Sequence, residues 1–148
     1  MSAATSASPA SVDLLASARR SLAEAGLAST PGERYVAAHL TALRAAAAIL
    51  ANRSTPASRR SRVRSVWALL PRAAAEFSEW AEFFALTARK RAGVEAGLDC
   101  VSVREADDLV RDAEAFLARV TAHLGVPYQS SIHLGVLHEP ASHLLSVG

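Results

Sequence analysis

Cysteine occurs once in this sequence, at Cys100, which excludes an intrachain disulfide and a thiolate metal cluster. A lone thiol just before a helix start reads first as a buried, inert side chain and only second as a reactive one. No strongly apolar run is longer than Ala45 to Ala51, far short of what a bilayer requires. Met1 to Ser11 is rich in serine and alanine and lacks the charged and apolar regions of an export signal, so the expected location is the cytoplasm, with no membrane contact. A Gly-rich phosphate loop, a Ser-His-Asp order, an Asn-Gly hairpin and an alternating strand run are all missing, which removes the usual marks of a sheet and of several enzyme classes. Aromatics make up only 5% of the residues although 51% are apolar. Much of that apolar content is alanine, the strongest helix former and a filler of little volume, so the composition favours closely packed helices.

Acidic residues are missing from the whole stretch between Glu33 and Glu76. Residues 1–75 carry ten arginines against Asp13, Glu24 and Glu33, a balance of +7, whereas residues 76–148 balance at −5. The net charge of +2 hides this division. It suits an anionic partner for the basic half, a subunit meeting its opposite pole, or a solvated bundle whose unlike faces attract. Lysine occurs once, at Lys90, against 15 arginines, a bias that GC-rich coding explains as readily as selection for guanidinium chemistry.

The start of one helix is written in the sequence. Thr30 and Glu33 have capping-box spacing, and Pro31 occupies the first helical position, where its missing N–H is harmless. Val36, Leu40, Leu43, Ala47 and Leu50 follow at 4-3-4-3 spacing and are expected to form its core stripe, with the helix ending near Asn52. Before it, a helix over about 11–25 carries Val12, Leu15, Ala18, Leu22 and Ala25 inward and stops at Gly26. After it come a loop over 53–64 and a short helix through Trp67 and Leu70, which Pro71 breaks or kinks. Trp67 is expected in the core. Phe77, Trp80, Ala81, Phe84 and Ala88 form the next inner stripe, ended by Gly93 and Gly97. A second capping box, Ser102 and Glu105, opens the last helix, with Val103, Ala106, Val110, Ala113, Leu117, Val120 and Leu124 inward and Gly125 to Pro127 at its end. The expected fold is all-α, an antiparallel up-and-down four-helix bundle over 11–125. A disordered tail over 1–10 and an irregular C-terminal tail over 126–148 flank it.

The Thr30–Leu50 helix, with its capping box, Tyr35, His39 and alanine run, resembles the second helix of the HEPN superfamily of small helical bundles. The segment Glu105 to Leu117 is similar to the Ala-rich, Phe-Leu-ending last helix of many HEPN domains. Trp67-Ala68-Leu69-Leu70, Glu79-Trp80-Ala81-Glu82-Phe83-Phe84 and Arg91-Ala92-Gly93 narrow the resemblance to a small SAV-type branch. It covers Val12 to Leu124. The resemblance implies a bundle that binds RNA or a nucleotide, usually as a homodimer. In the HEPN ribonucleases it implies metal-independent RNA cleavage by an Arg-x(4–6)-His motif, with His moving a proton and Arg stabilising phosphate charge.

Arg34 and His39 match that spacing and are the candidate catalytic pair. The family's motif stands at the start of the last helix, where residues 89–105 contain arginines but no histidine. With 15 Arg and 5 His in the chain, about 1.5 such spacings arise by chance. Five residues on a helix also separate the two side chains by roughly 140°. His39 reads more readily as a bundle-edge histidine stacked on Tyr35. Arg53, Arg59, Arg60, Arg62 and Arg64 form the candidate phosphate-binding cluster, with Arg72 beyond it, because guanidinium forks match phosphate oxygens. An Arg-biased solvated loop is the competing explanation. No metal site is expected: the carboxylates lack Glu-x-x-His pairs, and His133, His138 and His143 recur at five rather than four. No cofactor is implied. The function read from the sequence is RNA or nucleotide binding through the basic half without nuclease activity. The alternatives are a metal-independent endoribonuclease using Arg34 and His39, and a helical module that recognises a protein partner.

Overall fold

Serine and threonine hydroxyls start four of the five α-helices among the described residues of this chain, whose computed structural model describes residues 7–53 and 65–127. Ser8 accepts a hydrogen bond from the Ser11 N–H, and Pro9 takes the first helical position of α1 (Pro9–Leu27). The Ser8 N–H is itself held by Asn52 Oδ1 at 2.8 Å. That tie starts α1 two residues ahead of the expected position. Thr30 Oγ1 accepts from the Glu33 N–H at 3.1 Å and opens α2 (Pro31–Arg53). The box is only half closed, because the Glu33 carboxylate instead accepts from the Ser29 hydroxyl. Ser65 caps α3 (Val66–Ala73). Ser102 and Glu105 close both halves of the capping box at α5 (Val103–His123).

Pro71 acts as expected. The chain leaves α3 within one turn of it, Ala74 is extended, and a 3-10 turn (Ala75–Phe77) leads into α4 (Ser78–Glu95). Two helices end on left-handed glycines, Gly97 at φ 93° and Gly125 at φ 72°. At Gly97 the N–H groups of residues 97 and 98 bond back to the carbonyls of Val94 and Gly93. At Gly125 those of residues 125 and 126 reach Ala122 and Thr121. Each is the paired closure that satisfies a helix's last carbonyls, and it needs positive φ at the residue past the cap. All regular structure among the described residues is helical.

Early residues of α1 meet late residues of α2: Ser11 donates to the Ala48 carbonyl at 2.6 Å, and Arg44 donates to Ser21 Oγ at 2.7 Å. The small side chains Ser11, Ala18, Ser21 and Ala25 on α1 and Ala38, Ala42, Ala45 and Ala48 on α2 are all fully buried. Helices faced with such residues approach closely. α2 is the hub, packed against α1, α3, α4 and α5.

This hub role corrects the expected core stripe. Val36, Leu40, Leu43, Ala47 and Leu50 are only partly buried, whereas Tyr35, Ala38, His39, Ala42, Ala45, Ala46 and Ile49 are buried. Where neighbours come closest only alanine fits, so the larger aliphatics sit at the margins of the contacts. Val12 and Val103 are exposed for a related reason, lying on the outer flanks of α1 and α5. The largest core side chains form an aromatic cluster. Trp67 stacks on Phe84 with ring centroids 5.1 Å apart, Phe84 meets Phe116 at 5.0 Å, and Phe77 meets Phe116 edge-on at 5.8 Å. Trp67 is thus a core residue, as expected.

Candidate functional site

Arg34 lies in the first turn of α2, where a cation opposes the helix dipole. Its side chain resolves that conflict by leaving its own helix. Nε donates to the Ala25 carbonyl at 3.2 Å and Nη2 to the Ala28 carbonyl at 3.3 Å, so the guanidinium covers the negative end of α1. Nη1 pairs with Asp107 of α5 at 2.6 Å. One side chain therefore ties together the end of α1, the start of α2 and the start of α5. The Arg34 side chain is 30% exposed and Asp107 43%, so water screens part of the pairing.

His39 points elsewhere. It is 1% exposed, with its ring edge-on to Trp67 and to Phe84 at 5.8 and 6.4 Å, rather than stacked on Tyr35. Nδ1 lies 2.9 Å from Thr87 Oγ1. Thr87 gives its one hydroxyl proton to the Phe84 carbonyl at 3.0 Å, so toward His39 the hydroxyl can only accept. Nδ1 therefore carries the hydrogen and Nε2 the lone pair. Burial, reinforced by the charge of Arg91, lowers the His39 pKa from 6.5 to about 4, and the ring is neutral at pH 7.

Among the described residues Arg34 and His39 thus share no partner: one bonds to Ala25, Ala28 and Asp107, the other to Thr87. The arginine whose charge reaches His39 is Arg91 of α4, itself paired with Glu95 at 3.2 Å. No spacing rule along the chain could have found that neighbour, since 52 positions separate the two residues. The His39 imidazole is thus neutral at pH 7 and almost fully enclosed among the described residues.

Arg59, Arg60, Arg62 and Arg64, together with the side chain of Arg53, lie outside the described residues, as do His133, His138 and His143. Arg72, in the last turn of α3, is exposed. Among the described residues no three His, Cys, Asp or Glu side chains gather as they would to hold a metal ion. Cys100 is half-buried, its Sγ 4.0 Å from the Lys90 carbonyl. Beside it Lys90 pairs with Glu105 at 2.5 Å; that hydrogen bond raises the lysine pKa and lowers that of the carboxyl. Burial pushes the Tyr35 hydroxyl up. No helix among the described residues is long and apolar enough to cross a membrane.

A family model described as SAV_6107-like HEPN matches residues 25–121, from the end of α1 to the last turn of α5. No curated protein and no solved structure matches the chain. The match spans more than half of the sequence, and the chain belongs to the SAV_6107-like HEPN family.

Proposed function

Taking membership of that family as the premise, we propose that this protein binds RNA or a nucleotide through its basic half, as a homodimer, and does not cut RNA. The four long helices α1, α2, α4 and α5 are read as an antiparallel up-and-down bundle that presents this basic half. One observation carries the binding reading: no acidic residue interrupts the sequence between Glu33 and Glu76, while Arg53, Arg59, Arg60, Arg62 and Arg64 cluster within it. Guanidinium groups hold phosphate oxygens bidentately. Some acids of the other half are engaged in local pairs, Glu105 with Lys90, Glu95 with Arg91 and Asp108 with Arg111.

Against catalysis by Arg34 and His39 stands the burial of His39. A proton-transfer group must come within hydrogen-bond reach of the ribose hydroxyl or the leaving oxygen. The test is a salt titration of single-stranded RNA binding to the wild type and to a variant with Arg59, Arg60, Arg62 and Arg64 all changed to Ser. Each lost phosphate contact should reduce the log–log salt slope by about 0.7, so the variant should bind weakly and with a flatter slope at an unchanged melting temperature. Equal binding by both proteins would refute the basic-half reading. Absence of nucleic-acid binding together with salt-sensitive capture of a protein would favour the interaction module.

A further inference from the structure

α4 and α5 both lean on α2 and meet each other through side chains, Phe84 and Trp80 on Phe116 and Lys90 on Glu105. Between them lies an open groove of about 360 Å³ lined by Glu79, Trp80 and Phe83 of α4 and Asp112 of α5. Its floor is rigid. Trp80 stacks on Phe84 with ring centroids 6.0 Å apart and meets Phe116 at 5.3 Å. Phe83, on the rim, stays 38% exposed although it is aromatic.

Four carboxylates of α4 and α5, Glu79, Glu82, Asp112 and Glu114, form no ion pair among the described residues, and two of them line this groove. Glu76, in the 3-10 turn before α4, meets His123, and on α4 and α5 Glu95 meets Arg91, Glu105 meets Lys90, Asp107 meets Arg34 and Asp108 meets Arg111. Neither Glu79 nor Asp112 has a cationic partner among the described residues. Asp112 is held above its ordinary pKa by burial and by the nearby Asp108 charge, with the Arg111 charge acting the other way, and a further cation beside it would favour its charged form. Two carboxylates give too few oxygens for a divalent cation, which takes six or more. Set beside two aromatic faces they suit a delocalised, weakly hydrated cation, which gains from the ring quadrupole and from the carboxylates together.

We propose that the Glu79–Trp80–Phe83–Asp112 groove is the docking site for an arginine of residues 54–64 of the same chain. Charge selects this occupant, since the segment carries Arg59, Arg60, Arg62 and Arg64 and no acid. Chain path allows it. The segment runs into Ser65 at the start of α3, and Trp67, two residues on, is stacked 5.1 Å from Phe84, the same ring that supports Trp80. The start of α3 is thus two ring contacts from the groove, and an extended chain covers about 3.3 Å per residue.

A labelled peptide of residues 54–64 is titrated into the full chain whose own four arginines, Arg59, Arg60, Arg62 and Arg64, are changed to Ser. Saturable binding is expected, weakened at least tenfold by Glu79→Gln with Asp112→Asn and several-fold by Phe83→Ala. A peptide with lysine at the four positions should bind more weakly than the native one. No saturable binding, or binding that the amide changes leave untouched, overturns the proposal. Sedimentation of the otherwise wild-type chain supplies the second arm. Docking within one chain predicts the same oligomeric state with or without the two amide changes, whereas a dimer that dissolves on making them overturns the same-chain assignment. The assay contains no RNA, so failure of the RNA-binding reading leaves it unaffected.

Discussion

Acidification should destabilise this fold through a single buried ring. In the native state His39 titrates at about 4, against 6.5 for an unstrained imidazole. Above the higher value both folded and unfolded chains hold His39 neutral, and pH has no leverage through it. Below it the unfolded chain takes up a proton that the fold refuses, so stability falls with pH until the folded ring also protonates. The depression predicts a loss of about 2 kcal/mol near pH 5 and about 3 kcal/mol near pH 4, after which the contribution levels off. His39→Leu isolates it. Leucine keeps the site apolar, and Thr87 still has the Phe84 carbonyl to bond. Urea denaturation of both proteins, followed by helix circular dichroism between neutral and mildly acidic pH, gives the two slopes. The wild type should lose stability over this range and the variant should lose roughly 2 kcal/mol less at the acidic end. Parallel slopes, or an NMR titration placing one histidine at its ordinary value and assigning it to His39, would refute the burial argument.

Further expectations concern the frame around that ring. Arg34→Ala removes the bonds to Ala25, Ala28 and Asp107 and should cost roughly 1–2 kcal/mol in a urea midpoint measurement, discounted because the pair is partly exposed. A neutral effect would mean that the three contacts carry nothing. Phe84→Ala, at the meeting of the Trp67, Trp80 and Phe116 rings, should cost about 3–5 kcal/mol by thermal unfolding. Ala42→Leu should cost about 1–3 kcal/mol by overpacking, and Leu43→Ala less than Phe84→Ala because Leu43 is only partly buried. The reverse order would restore the Val36–Leu40–Leu43 stripe as the core face.

Local chemistry was readable from the chain wherever a few neighbouring residues decide the outcome. Ser102 with Glu105, Pro31 at a helix start, the break after Pro71 and the stop at Gly125 depend on adjacent backbone groups alone. The face of α2 was not readable that way. Periodicity weights a position by the size of its side chain, and on a hub helix the tightest contacts select alanine, so Leu40 and Leu43 misled. The site suffered for a different reason. Arg34 meets Asp107 across 73 positions and His39 meets Thr87 across 48, pairings that only the assembled helices bring about. An Arg-x4-His spacing describes one helix, and its two members turned to different sides of it. The groove of Glu79 and Asp112 likewise joins α4 to α5, whose separate sequences contain no mark of it.

The central claim is phosphate binding by the basic half without cleavage, and one incubation tests it most directly. Purified wild-type protein is mixed with pooled single-stranded RNA in chelator-containing buffer, across a range of salt, and both retention and fragment length are followed. The account predicts retention at low salt that falls with a log–log slope of roughly −3 if four arginines contact phosphate, and RNA of unchanged length throughout. Absence of retention at the lowest salt, or fragments whose formation His39→Leu abolishes at an unchanged melting temperature, would contradict it.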